Sequence, residues 1–346
     1  MILGAIGSCA RAAWRHVHAL WGRYWLVPLL PGAYALVLAA FDELRPEHVV
    51  FGVLCAGLGV VGPRAKRFLV DVSPYIAVAI GYDVVRYLRP LVVTPGRVLG
   101  CELREAELLL FRAGQGRTLQ DVFAAHHAAP FDLLFAVPYT IFVYVVLVYA
   151  AYLYFRDRPR MRHYLLAFAI GNYISFAFWL LLPAAPPWYL RMHGCAIDTS
   201  VAASPAALAR VDALLGIDYF ATFYGRASTV FGALPSMHCA YPLIGLLTAF
   251  RAAGPVARGV HVAYTLVMAT AAVYLDHHWV IDVVAGWAVA VVSVALAGAW
   301  LRSRGVVLDS LLVARPEPAP SALSPAPLLG LEESPASERP LSAGAR

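Results

Sequence analysis

Charge is what this sequence has least of. Only 14% of its 346 residues are Asp, Glu, Lys or Arg, against about 25% in an average soluble domain. Lysine is nearly absent: Lys66 stands alone beside 26 arginines. So sparse a basic set, scattered among apolar runs, argues against a nucleic-acid-binding face and suits the positively charged loops of a membrane protein. The five cysteines contain no CxxC pair and no metal-ligand spacing, so neither a zinc site nor a disulfide framework is signalled. Cys101 and Cys195 fall in two long loops and can pair if those loops face an oxidising side; separate free thiols are the alternative. What is abundant is apolar: 61% of the residues, with a mean hydropathy of +0.68. That composition excludes a disordered or collagen-like chain and points to a polytopic membrane protein rather than a soluble enzyme.

A helix needs about 20 mostly apolar residues to cross the hydrocarbon. The runs Tyr24–Phe41, Val49–Gly62, Phe68–Val85, Leu133–Phe155, Tyr164–Pro183, His238–Phe250, Gly259–Leu275 and Trp279–Leu301 predict eight spans, or six if the first two form an interfacial hairpin. Arginine marks one set of connections: Arg11, Arg15 and Arg23 before the first span, then Arg64 to Arg67, then Arg156, Arg158, Arg160 and Arg162, then Arg251 and Arg258, then Arg302 and Arg304. Alternating spans put all of these on one side, which is the cytoplasm by the positive-inside rule. Both termini are then cytoplasmic. The loop Asp42–His48, the two long loops and the turn Asp276–His277 face the periplasm or exterior of what reads as a bacterial inner-membrane protein. The chain divides into an amphipathic lead (1–23), two N-terminal spans (24–66), a six-helix core (67–304) and a Pro/Ala-rich tail (305–346). The tail carries seven prolines between Pro316 and Arg346, no apolar period, and is expected to be disordered.

Ionisable residues at membrane depth are costly, which makes each a functional candidate. Two segments concentrate them: Gly232-Ala-Leu-Pro-Ser-Met-His238 and Tyr274-Leu-Asp-His-His-Trp-Val-Ile-Asp282. His238 opens the sixth span and His278 the eighth, so both imidazoles reach the same outer face. His278 and Asp282 are four apart and share one helix face. The carboxylate can hold one ring nitrogen of His278 and leave the other free to attack an electrophile. His238 then supplies the acid or base. Ser236, just before His238, reads as a helix cap beside backbone N–H groups that favour an anion. The blander reading keeps these histidines as interfacial residues, with His277 a turn residue and Asp282 a packing group.

Pro235-Ser236-Met237-His238 and His278-Trp-Val-Ile-Asp282, 40 residues apart, resemble the paired Pro-Ser-x-His and His-x-x-x-Asp segments of the type 2 phosphatidic acid phosphatase superfamily. The resemblance covers roughly Arg67 to Leu301. It implies an all-α polytopic fold with a six-helix core and a phosphohistidine intermediate: His278 as nucleophile, Asp282 orienting it, His238 as acid/base, and no cofactor or metal. Two departures matter. The Ser-Arg expected six to seven residues before the second His is Ala271-Ala272 here, and the family's Lys and Arg-Pro segment is absent, Arg89-Pro90 lying far upstream with Tyr82 in the Lys position. The stretch Leu182-Pro-Ala-Ala-Pro-Pro-Trp-Tyr-Leu-Arg191, with Arg67-Phe-Leu-Val-Asp71, Pro74, Tyr82-Asp83 and Arg86, resembles instead the inositol phosphorylceramide synthase (aureobasidin-resistance) branch. That branch implies transfer of an inositol-phosphate-like headgroup from a phospholipid donor to a lipid or alcohol acceptor; if water accepts, the enzyme is a phosphatase.

With the Ser-Arg gone, Arg191 and Arg226 in the loop before His238 are the substrate-binding candidates, alongside Ser236 and His277. His277 is also the nucleophile if the register slips by one, although only His278 has Asp at i+4. His126-His127 lie in the other outer loop with no assigned role. An intramembrane metalloenzyme using His238, His278, Asp282 and His277, or a non-catalytic transporter, are the rival readings.

Overall fold

The computed structural model describes residues 2–225 and 230–308, in which fourteen α-helices follow one another. They are α1 (Ile2–Trp21), α2 (Leu30–Ala40), α3 (Pro46–Val61), α4 (Pro63–Val92), α5 (Cys101–Phe111), α6 (Leu119–Ala125), α7 (Ala129–Arg156), α8 (Arg158–Leu181), α9 (Pro187–His193), α10 (Ala209–Leu215), α11 (Tyr219–Tyr224), α12 (Met237–Ala249), α13 (Pro255–Tyr274) and α14 (Val280–Ser303). Five of them, α4, α7, α8, α13 and α14, are long and apolar enough to cross a membrane. The protein is therefore an all-α integral membrane protein. Of the expected tail (305–346), residues 309–346 lie outside the described residues.

The run expected to cross from Tyr24 to Phe41 is not one helix. Segments 14–24 and 27–40 meet at 97°. Pro28 and Pro31 sit in the first turns after the break, where a residue without an N–H can start a helix but cannot sit inside one. The 16 residues of α3 reach about 24 Å, short of the roughly 30 Å hydrocarbon. The N-terminal region is thus a pair of short apolar helices, α2 packed on α3, with α3 also leaning on α4. Ahead of it, α1 turns Val17, Leu20 and Trp21 towards Cys55 and Leu69, and leaves Arg11 and Arg15 exposed.

At the centre of the core, α8 packs against α4, α7, α12 and α14. Between helices in lipid, burial of apolar surface gives little drive, so close packing and hydrogen bonds hold the bundle. The sequence supplies both. Gly171 lets Ser293 and Ile244 approach the α8 backbone. Asn172 donates to the Phe168 carbonyl and accepts from the Tyr241 hydroxyl at 2.7 Å. His163 reaches the Val294 carbonyl at 2.9 Å.

The two intramembrane aspartates of α4 are both paired. Asp71 is held by Arg158 and, at 2.7 Å, by Arg162, both at the arginine-rich start of α8. Asp83, near the other end, binds Arg45, His48 and the Tyr34 hydroxyl from the α2–α3 hairpin. The two long loops fold over that second end as α5, α6 and α9–α11. A disulfide between Cys101 and Cys195 joins one loop to the other. A short ladder reinforces the junction: Leu99 bridges Ala184, and Ala184 bridges Gly232.

Candidate active site

The turn between α13 and α14 and the start of α12 bring the expected residues together. Asp276 adopts a left-handed backbone conformation (φ 65°), which Asp tolerates better than most residues, and this lets the chain reverse directly after α13. His278 then faces His238 across the helix pair, its Nε2 3.2 Å from Nδ1 of His238. The approach depends on Gly286. A Cβ there would collide with the Ser236 carbonyl. The Ser236 N–H also donates to the Asp282 carbonyl at 2.9 Å. Gly286 is four residues after Asp282 and eight after His278, so the close contact lies on the same face of α14 as the site.

The other nitrogen of His278 is doubly held. Nδ1 lies 2.9 Å from the Ala233 carbonyl and 3.5 Å from Asp282 Oδ2. A carbonyl only accepts, so Nδ1 carries the proton and Nε2 presents its lone pair. In the 3.2 Å contact the proton is then on Nδ1 of His238. Asp282 is fully buried, with Oδ2 also accepting from the Trp279 N–H at 2.8 Å. The Ala233 carbonyl is a partner no side-chain motif announces. The ladder places it, since the Ala233 N–H binds back to Ala184.

His277 points elsewhere. It hydrogen-bonds the backbone of Pro205, and burial pushes it down to about 3, so it is neutral. Its Nε2 is buried without a partner among the described residues. Flat rings line up here: Tyr224 stacks on His277 at 4.7 Å and Tyr139 on His238 at 4.0 Å, while Phe142 lies 4.1 Å from His238.

The substrate-binding expectations divide. Ser236 occupies the cap position, but its hydroxyl turns to Cys239 Sγ at 3.4 Å and caps nothing; the backbone contact with Gly286 and Asp282 fixes its orientation. Arg191 is absent from the cavity wall. Its guanidinium grips Asp276 through Nε (2.9 Å) and Nη2 (3.0 Å) and Asp121 through Nη1 (3.2 Å), which raises its pKa further and leaves it to anchor the turn before His277. Arg226 lies outside the described residues. His127 approaches Asp132 at 3.7 Å, away from the histidine pair. Among the described residues no three His, Cys, Asp or Glu side chains are arranged to hold a metal ion.

The histidine pair opens on a cavity of about 910 Å³. Its wall is mostly apolar and aromatic, including Tyr75, Phe142, Phe168 and Trp179. At the hairpin side it is lined by Arg45, His48, Asp83 and Arg86. Arg86 makes no ion pair among the described residues, and its Nε is buried without a partner. Ala271 and Ala272, where the family's Ser-Arg would stand, are fully buried, and the Ala272 carbonyl accepts from the N–H groups of His277 and His278.

The chain is similar to known proteins over much of its length. The sequence profile of the PAP2 superfamily matches residues 111–296. The phosphoinositol dihydroceramide synthase of Bacteroides thetaiotaomicron is 32% identical over 280 residues, covering 80% of this chain and 89% of that protein. The inositol phosphorylceramide synthase of Candida albicans is 32% identical over 177 residues, 49% of this chain and 37% of that protein. The catalytic subunit of the Saccharomyces cerevisiae enzyme is 32% identical over 174 residues, 49% of this chain and 43% of that protein. No solved structure matches the chain significantly. On the profile match over more than half of its length and the bacterial relative that covers 80% of it, the chain belongs to the PAP2 superfamily.

Proposed function

We propose that this protein transfers a phosphoinositol headgroup from a phospholipid donor to a ceramide-class acceptor within the membrane. The observation that carries the reading is the histidine pair with opposed nitrogens, one oriented by carbonyl and carboxylate, at the wall of a large apolar cavity. The names of the relatives supply the substrate class.

The steps follow from the tautomers. Nε2 of His278 attacks phosphorus of the donor phosphodiester, taking the place of its hydrogen bond with His238. The phosphorus–oxygen bond to the diacylglycerol breaks, and that oxygen takes a proton from His238. Positive charge builds on His278, and Asp282 stabilises it. The acceptor hydroxyl then gives its proton to His238, its oxygen attacks the phosphohistidine, and the nitrogen–phosphorus bond breaks. Charge on the phosphoryl oxygens needs fixed donors. Arg86 supplies it in this scheme, in place of the arginine that Ala272 removes and of Arg191, which is committed to Asp276 and Asp121. The disulfide in the loops that cover the site supports a face exposed to an oxidising compartment. The arginines at the opposite end of α4, α7 and α8 support a cytoplasmic location for those ends.

The test is incubation of the purified protein with headgroup-labelled phosphatidylinositol, with and without ceramide, dihydroceramide or diacylglycerol. The expected result is label in an inositol phosphorylceramide and diacylglycerol as co-product. Soluble inositol phosphate as the main product would make the protein a hydrolase instead.

A further inference from the structure

The start of α14, which carries the site, is held by a carboxylate from outside the matched family region. Glu107, in α5, is completely buried. Its Oε1 accepts from the Val280 N–H at 2.8 Å and its Oε2 from the Ile281 N–H at 3.1 Å. These are the first two residues of α14, whose N–H groups have no partner within the helix. Gln120, in α6 and also buried, donates through one Nε2 to Glu107 Oε1 at 3.3 Å and to the His278 carbonyl at 3.0 Å. Glu107 therefore receives only donors, the pattern that suits an ionised carboxylate at the positive end of a helix. The disulfide pins Cys101, the first residue of the same helix, to the loop after α9.

Burial without function is a poor explanation for this group. An ionised carboxylate costs several kcal/mol to bury, and a helix start can be capped more cheaply by a Ser or Thr. Asp282 already satisfies the Trp279 N–H. Together the two carboxylates take the N–H groups of residues 279, 280 and 281, and Gln120 takes the carbonyl of 278. Every backbone group flanking His278 on that side is fixed.

We infer that Glu107, with Gln120, is a positioning residue for the nucleophile: it locks the start of α14 so that His278 and Asp282 keep their alignment as charge moves through the reaction. The inference rests on the assignment of His278 as nucleophile. Its signature is a loss in kcat with KM unchanged, because neither side chain lines the cavity.

The experiment compares wild type with Glu107→Gln, Gln120→Met and His278→Ala, each purified in detergent, using labelled phosphatidylinositol and ceramide. Displacement of a reacting group by about 1 Å costs on the order of 100-fold. The expected result is a 10- to 100-fold lower kcat for Glu107→Gln, a smaller loss for Gln120→Met, unchanged KM values, and a slower burst of acid-labile phosphate on the enzyme in both. A monodisperse Glu107→Gln protein with wild-type kcat overturns the inference, as does a raised KM at unchanged kcat. If Glu107→Gln does not yield folded protein, Gln120→Met decides by the same criteria. The His278→Ala control separates the two claims: turnover by that variant defeats the assignment of His278 as nucleophile, on which the inference rests, whatever the other two variants do.

Discussion

Nε2 of His278 and Nδ1 of His238 face each other at 3.2 Å, and only one proton arrangement satisfies the contact once His278 Nδ1 is committed to the Ala233 carbonyl. The pair is therefore asymmetric: one ring offers a lone pair, the other a proton. His278→Ala should abolish both transfer and the acid-labile phosphate on the protein. His238→Ala should slow turnover by about 10²- to 10⁴-fold, the ordinary worth of a general acid–base. Quenched single-turnover reactions with labelled donor measure both.

Gly286→Ala should damage the site without touching a reactive group. The added methyl must displace the Ser236 backbone, whose N–H binds the Asp282 carbonyl. The expected cost is about 1–3 kcal/mol of stability, as for overpacking elsewhere. A drop in kcat should accompany it because α12 moves away from α14. Thermal unfolding in detergent, followed beside turnover, checks this; full activity at unchanged stability would show that the helices do not need this approach.

Arg191 and Arg86 should separate cleanly. Arg191→Gln leaves Asp276 and Asp121 without their partner, and should lower stability by about 2 kcal/mol, below the cost at a buried pair because the Arg191 side chain is 36% exposed. KM for the donor should stay the same in whatever protein remains folded. Arg86→Gln should leave stability near wild type and raise KM or lower kcat/KM by about 10-fold or more, since Arg86 lines the cavity and has no ion pair there among the described residues. Michaelis parameters for both variants decide which arginine meets the phosphate.

Stability should fall as the medium is acidified below about pH 6.5 through His277. Its pKa in the fold is about 3, whereas in the unfolded chain it is about 6.5. Between those values the unfolded chain binds a proton that the folded one refuses. Stability is therefore fully present above about pH 6.5 and is lost towards pH 3, at up to roughly 1.4 kcal/mol per pH unit for this one group. Melting temperatures between pH 7.5 and 5 should show a shallower slope for His277→Phe than for wild type. An identical slope would mean that other groups carry the acid sensitivity.

The core of the site was legible because it is local. His278 and Asp282 announce themselves by an i, i+4 spacing, and His238 by a short segment with Pro and Ser. The long spans were legible from length alone. The bend before Val27 is followed by Pro28 and Pro31, which a count of apolar residues does not register. Glu107, Gln120 and the Ala233 carbonyl were not legible, because they reach α14 or His278 from segments 45 to 174 residues away and belong to no periodic pattern. Arg191 was placed at the substrate because its charge was visible and its partners Asp276 and Asp121 were not.

The Cys101–Cys195 bond has a consequence for biogenesis. The segments it joins are 94 residues apart, and the chain between them includes both α7 and α8. The link can close only after that helical hairpin has been inserted and both flanking loops delivered to the same compartment. It therefore serves as a record of completed insertion: a chain with the bond has its loops on one side, and a chain with a mis-threaded α7 or α8 has no way to make it. A gel-mobility shift on reduction should thus report how much of an overproduced population has reached its final topology.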